Sequence, residues 1–150
     1  MISADQRDKI ADLVDGAVKE GATVAFWGDI PEDSGFFYPA TVFTDVLADA
    51  AILREEIFGP VAVITTFSDL ECGIAAANDT DFGLTAYSLS EDAHTADYLT
   101  TALNAGIVGI NRGAVSDAAA PFGDVKESGF GREGGAEEIM EYVDVRYIAK

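Results

Sequence analysis

The chain has 150 residues, 27 of them acidic against 9 basic, a formal net charge of −18 and a single cysteine. That length and an apolar share of 49% suit one domain with a real core, while one cysteine excludes an internal disulfide and fits a reducing compartment, with the cytoplasm as the expected location. Scarce Lys and Arg argue against nucleic-acid or anionic-membrane partners, no apolar run reaches the roughly eighteen residues of a transmembrane helix, and the acidic N-terminus lacks the apolar segment of a secretory signal.

Ser3 and Gln6 form a capping box for a helix running to residue 19, with Ile10, Leu13, Val14 and Ala17 at helical spacing, and Gly21 stands where a C-cap is expected. Residues 23–27 read as a short strand, and residues 28–35, with Pro31, Asp33 and Ser34, as a loop. Residues 36–44 are extended but interrupted by Pro39, which favours an edge or irregular strand. Residues 61–67 are apolar and β-branched, as a strand requires.

Ser68 and Glu71 make a second capping box, for a helix over 68–77. A turn at 78–83, a strand at 84–89 and a helix over 92–104 stopped by Gly106 follow. Residues 107–110 form a strand that is apolar without alternation and so buried on both faces. The order strand–helix–strand–helix–strand, with helical connections of about a dozen residues, points to parallel crossovers and an α/β fold. Residues 112–133 are Gly-rich with little regular structure, and a loop of that length in a compact domain is usually functional or disordered. Residues 137–142 look helical and 143–149 read as a final strand.

The acids are spread along the chain (Asp5, Asp8, Asp12, Asp15, Asp45, Asp49, Asp92, Asp97) rather than gathered in a tail. A solvated surface accounts for the spread. The sharper reading is adaptation to high salt, because a large net charge repels itself until counterions screen it.

Most of the candidate chemistry lies in Glu55-Glu-Ile-Phe-Gly-Pro-Val61. In an extended backbone side chains at i and i+2 share a face, so Glu56 and Phe58 point one way while Glu55 and Ile57 point the other. A carboxylate beside a ring suits a nucleotide sugar next to a flat base: two acceptor oxygens meet a vicinal diol and the ring covers the heterocycle. A surface acid pair entering a strand is the alternative. Gly129-Phe-Gly131-Arg-Glu-Gly134 fits the dinucleotide pattern G-x-G-x-x-G, but it follows a loop rather than a strand and no βαβ unit follows, so turn-forming glycines are the better reading. Cys72 is the one candidate thiolate; it sits in the 68–77 helix among Asp69, Glu71 and Asp79, a poor setting for a nucleophile. His94 is the only histidine and no second His or Cys stands at ligand spacing, so no metal site is expected.

The chain resembles the aldehyde dehydrogenase superfamily. The resemblance rests on five motifs in family order: Glu55–Val61 as above, Asn78-Asp-Thr-Asp-Phe-Gly-Leu84, Gly106-Ile-Val-Gly-Ile-Asn111, Pro121-Phe-Gly123 and Ser128-Gly-Phe-Gly-Arg-Glu-Gly134. It implies an α/β fold, part of a catalytic domain with a mostly parallel sheet flanked by helices over residues 1–142, and an oligomerisation strand over 143–150 that pairs with a neighbouring subunit. It further implies that Glu56 binds the hydroxyls of the nicotinamide ribose of NAD or NADP and that Phe58 packs near the nicotinamide. The family's nucleophilic cysteine, general-base glutamate and dinucleotide-binding domain lie N-terminal to the region matched, so the resemblance implies a C-terminal piece of an enzyme, inactive alone and very weak in cofactor binding.

Asn111-Arg-Gly-Ala-Val-Ser-Asp-Ala-Ala-Ala-Pro-Phe122 is similar to the family segment that lines the substrate tunnel. Ser116 stands where succinate-semialdehyde dehydrogenases carry a serine, whose hydroxyl can donate to a substrate carboxylate, and Phe122 would supply an apolar wall. Succinate semialdehyde is therefore the implied aldehyde; a surface-loop serine is the alternative. A serine alone recognises a carboxylate weakly, and Arg112 is the local cation. Asp124 replaces a second glycine usual in the family after Pro-Phe-Gly, which puts the local loop geometry in question. A non-catalytic assembly module, dimerising through the last strand, is the reading from another class.

Overall fold

The computed structural model describes residues 1–30 and 34–150, which divide into two compact units, Met1–Phe67 and Ser68–Lys150. In the first, α1 spans Ala4–Lys19. Ser3 is its N-cap, with extended backbone and an Oγ that accepts the Gln6 N–H at 3.1 Å. The expected capping box is only half formed, because the Gln6 amide reaches across to the Phe58 carbonyl at 3.3 Å. At the other end Gly21 has φ 99°, its N–H donates to Val18 and that of Ala22 to Ala17, the paired bonds of a Schellman ending. Ile10, Val14 and Ala17 are buried and join Phe43, Ala50 and Ile52 in the core, with Leu13 half-buried beside them.

The sheet of this unit runs β1 (Thr23–Trp27), β2 (Thr41–Thr44), β3 (Val61–Val63), with β1–β2 antiparallel and β2–β3 parallel. β2 is therefore the central strand, not the edge that Pro39 suggested. Pro39 lies ahead of the ladder, where its missing N–H costs no strand pairing, and its carbonyl accepts the Thr41 hydroxyl at 3.0 Å. β3 is shorter than the expected 61–67 because its one partner strand ends: Ile64 donates to Phe43 at 2.9 Å and no ladder continues. All five residues of β1 are exposed. Pro31 and Asp33 of the expected 28–35 loop lie outside the described residues.

The second unit begins with α2 (Leu70–Asn78), capped by Asp69 rather than Ser68. A carboxylate accepts the Cys72 N–H at 2.9 Å, and the Ser68 hydroxyl donates to that carboxylate instead. Then come β4 (Phe82–Gly83), β5 (Thr85–Ser88), α3 (Ala93–Ala102, capped by Asp92), β6 (Ile107–Ile110), β7 (Phe122–Gly123), β8 (Val125–Lys126) and β9 (Arg132–Glu133). β5–α3–β6 is a parallel crossover, as expected; β3 pairs with β2 instead of entering a second one. β6 is mostly half-buried rather than buried on both faces, since its sheet has two strands. β4–β8 and β7–β9 are two-residue antiparallel ladders closed by the Gly-rich segment.

Among the described residues two pairings are parallel and three antiparallel, so the α/β sheets are mixed rather than mostly parallel. Residues 138–142 form a 3-10 turn. Residues 143–150 are exposed and form no strand, which corrects the expectation for 143–149: a β-branched, aromatic segment has strand composition, but a ladder needs a partner and none of the described strands supplies one.

Candidate functional site

The segment 55–61 leaves a short 3-10 turn (Ala51–Leu53) and enters β3, lying against α1 on the way. Glu55 turns toward Lys9, Oε2 to Nζ 3.8 Å, and Ile57 is half-buried against the core. Glu56 is exposed and Phe58 is 70% exposed. Gly59 lets the backbone press on the helix, because a Cβ there would come within 2.9 Å of Ile10 Cγ1. The Pro60 carbonyl accepts the Thr41 N–H at 2.9 Å and ties the far end to β2.

Beside the Phe58 ring is a depression of about 410 Å³ lined by Met1, Ile2, Gln6, Ile57, Phe58 and Gly59. An exposed carboxylate can accept from a sugar diol, and an exposed ring can stack on a flat heterocycle. The ring and carboxylate thus fit the nucleoside end of a nicotinamide cofactor in chemistry.

In the second unit the residues expected on the substrate side are less concentrated. Asn111, with φ 53°, fixes the start of the following loop by a two-way amide pairing with Ser90: Oδ1 accepts its N–H at 2.8 Å and Nδ2 donates to its carbonyl at 2.9 Å. Arg112 and Ser116 are exposed on that loop. Phe122 is half-buried and opens β7, lining a depression of about 370 Å³ with Leu84, Asp124, Phe130, Arg132 and Tyr142 among its walls. Ser116 is not part of that lining, so the structure does not gather the two residues into one cavity.

Asp124 does not adopt the left-handed backbone that would demand glycine; Lys126, with φ 57°, makes the turn, and the Asp124 carbonyl accepts from Arg132 Nη1 at 2.8 Å. The three glycines at 129, 131 and 134 all have positive φ (146°, 86° and 72°), and the Gly134 N–H is already taken by the Glu138 carboxylate at 3.0 Å. That is turn architecture with its own anion in place, in keeping with the rejection of a phosphate cradle.

Cys72 is exposed, and its Sγ donates to Asp69 Oδ2 at 3.3 Å. Activating a thiol takes a nearby cation or a base stronger than a carboxylate, and this partner is a carboxylate. The Asp69 carboxyl is held below its ordinary range by the Cys72 N–H, then by the thiol and the Ser68 hydroxyl. His94 is exposed on α3, and among the described residues no group of three or more His, Cys, Asp or Glu could hold a metal ion.

Two residues matter more than their sequence context indicated. Gln6 was legible as a capping residue, but its bond to the Phe58 carbonyl spans 52 positions and no local rule announces it. Lys126 donates to the Asn78 and Thr80 carbonyls, both at 2.9 Å, from a backbone conformation that lysine seldom takes.

The model of the aldehyde dehydrogenase family matches residues 1–148. A succinate-semialdehyde dehydrogenase of Paenarthrobacter nicotinovorans is 48% identical over 149 residues, covering 99% of this chain and 33% of the relative. The NADP(+) succinate-semialdehyde dehydrogenase of Escherichia coli strain K12 is 41% identical, over 93% of this chain and 29% of its own length. The structure of an aldehyde dehydrogenase from Bacillus cereus in complex with NAD+ superposes with a TM-score of 0.90 at 39% identity, covering 97% of this chain and 30% of that one. The chain thus spans about a third of the length of the relatives it matches. Among the described residues no helix is long and apolar enough to cross a membrane.

Proposed function

This chain belongs to the aldehyde dehydrogenase family, and from that premise we propose that it is the C-terminal part of a cytoplasmic enzyme that oxidises succinate semialdehyde to succinate with NAD or NADP. Glu56 receives the hydroxyls of the nicotinamide ribose on its carboxylate oxygens, and Phe58 packs near the nicotinamide. The bound nicotinamide supplies the hydride acceptor. Ser116 donates to the carboxylate at the far end of the aldehyde and Phe122 walls its chain. The nucleophilic cysteine and the general base come from a part of the enzyme that precedes this region, and so does the choice between NAD and NADP.

The observation that supports this reading is that Glu56 and Phe58 both stand exposed on a segment held to α1 and to β2. The 48% identity to a succinate-semialdehyde dehydrogenase supports the choice of substrate. The test is an assay of the full-length gene product with NAD and with NADP on succinate semialdehyde, betaine aldehyde and acetaldehyde. The highest kcat/KM is expected on succinate semialdehyde, and no NADH from the 150-residue chain alone. A full-length protein that turns over none of the three would reject the reading.

A second role, assembly, is supported by the C-terminal segment, where Val145 is 87% exposed, Tyr147 89% and Ile148 69%. Such a segment suits addition to the sheet of a second copy, giving a homo-oligomer; no nucleic-acid or membrane partner is proposed. Size-exclusion measurements that find only monomer would count against it.

A further inference from the structure

Of residues 111–120, which follow β6 as an irregular stretch, Val115 alone is half-buried and the rest are exposed. Its seat lies on the sheet behind the loop. Gly109 is the one buried residue of β6 and pairs with Tyr87 across the parallel ladder. A Cβ at Gly109 would come within 2.7 Å of Val115 Cγ1 and 2.9 Å of Tyr87 Cδ1. The bare Cα therefore leaves a notch, which the valine methyl and the edge of the Tyr87 ring fill. The loop is also fixed on either side of this contact. Asn111 clasps Ser90 through its amide, and its own N–H donates to the Ser88 carbonyl at 2.8 Å. Asp117 closes a turn, its Oδ1 accepting the Ala119 N–H at 2.9 Å. Between these two points a Cβ at Gly113 would meet nothing within 4 Å, so the packed side chain beside Ser116 is that of Val115.

Resting on the substrate-side reading of Ser116 given above, we infer that Gly109 and Val115 are positioning residues for that serine: the notch at Gly109 seats Val115, and the seated valine holds the backbone of its neighbour before substrate arrives. The pair acts through Ser116 and sets the preference for an aldehyde that carries a carboxylate. A single hydroxyl recognises a carboxylate weakly, and on a loose loop much of that interaction is lost to the cost of ordering it. Packing the adjacent residue into the sheet removes that cost in advance. The aldehyde group and the cofactor meet other residues, so the effect falls on the choice between substrates and leaves the chemical step as it was.

The experiment uses the full-length enzyme and five variants: Gly109→Ala, Val115→Ala, G109A/V115A, Ser116→Ala and G109A/S116A. For each, kcat and KM are measured with succinate semialdehyde and with butanal, which has a methyl where the semialdehyde has its carboxylate, and KM is measured for cofactor. Gly109→Ala drives a methyl into the notch. It is expected to raise the semialdehyde KM about three- to tenfold, part of the worth of a hydrogen bond to a charged group, with butanal KM, cofactor KM and kcat within about twofold of the parent's. Val115→Ala empties the notch and should act in the same direction, which keeps the test in hand should Gly109→Ala fail to fold. G109A/V115A gains at 109 the methyl lost at 115 and should lie closer to the parent than Gly109→Ala does. G109A/S116A should be no worse than Ser116→Ala, because a residue that acts through another loses its effect when that other is already disabled. A semialdehyde KM unmoved at both 109 and 115, a butanal KM that rises in step with it, or effects of Gly109→Ala and Ser116→Ala that multiply would each overturn the inference and leave the Ser116 assignment standing. A preference for semialdehyde over butanal that is indifferent to Ser116→Ala would bring down the assignment itself.

Discussion

Lys126 Nζ donates to the Asn78 carbonyl at 2.9 Å, joining a residue of the β4–β8 ladder to the end of α2 across 48 positions. The same ammonium takes the Thr80 carbonyl, while the Asn78 side chain holds Ala102 and Asn104 at the end of α3. One asparagine and one lysine therefore tie together the ends of both helices of this unit and the β4–β8 ladder.

Replacing Lys126 with Met keeps the aliphatic stem and strips two carbonyls of a charged donor. The expected loss is about 2 kcal/mol, in the range for hydrogen bonds to charged groups. Urea denaturation of the chain followed by circular dichroism measures it. A midpoint unchanged from the parent would show that water replaces the ammonium without cost.

Gly106→Ala should be worse tolerated than a change at Gly113. A Cβ at 106 would run into the Gly123 carbonyl oxygen and the Asp124 Cα, both backbone, whereas Gly113 has open space around it. Overpacking of this kind costs about 1–3 kcal/mol, and the same denaturation experiment compares the two variants.

Acid should loosen the start of α3. The Asp92 carboxyl is lowered from 3.8 by the Thr95 hydroxyl and then the Thr95 N–H, so its contribution is present above the unfolded value and is lost as pH falls through the lower folded one. Asp92→Asn caps without titrating, so its Tm should fall less than the parent's below about pH 4. Parallel curves would remove Asp92 from the account. On the alkaline side Tyr98 behaves oppositely: its phenol is raised above 10.0 by donation to Glu71 and by that carboxylate's charge. Its contribution is present below the unfolded value and fades as pH rises through the folded one, an effect Tyr98→Phe abolishes.

Salt is expected to stabilise the chain. Asp5, Asp8, Asp12 and Asp15 all stand exposed along α1, in a protein of net charge −18. Raising KCl from about 0.1 M to 1 M shortens the screening length from about 10 Å to 3 Å, which should raise Tm steadily. A flat response would discard salt adaptation.

Where the sequence proved informative, local physics decided the outcome. The period of Ile10, Val14 and Ala17, the hydroxyl at Ser3 and the glycine at 21 specify α1 to within a residue. The half-burial of Ile57 between the exposed Glu56 and Phe58 was also legible, since side chains of an extended backbone alternate faces. What failed depended on partners far along the chain. β3 stopped at Val63 for want of a longer neighbour, β2 turned out central despite Pro39, and 143–149 found no strand to pair with. At α2 two adjacent acceptors competed for the cap, and the stronger one, Asp69, displaced Ser68. Ser116 and Phe122 were near in sequence, yet proximity along a loop does not fix a common wall. The left-handed turn at Lys126 has no compositional mark at all.

The exposed edge strand β1 carries the chain's single tryptophan, Trp27, which is 53% exposed with the Tyr38 ring edge-on at 6.1 Å. Its emission therefore reports on one known place. Any surface that covers β1 will shift that emission to the blue and shield it from iodide, so the protein carries a built-in fluorescent gauge of its own docking.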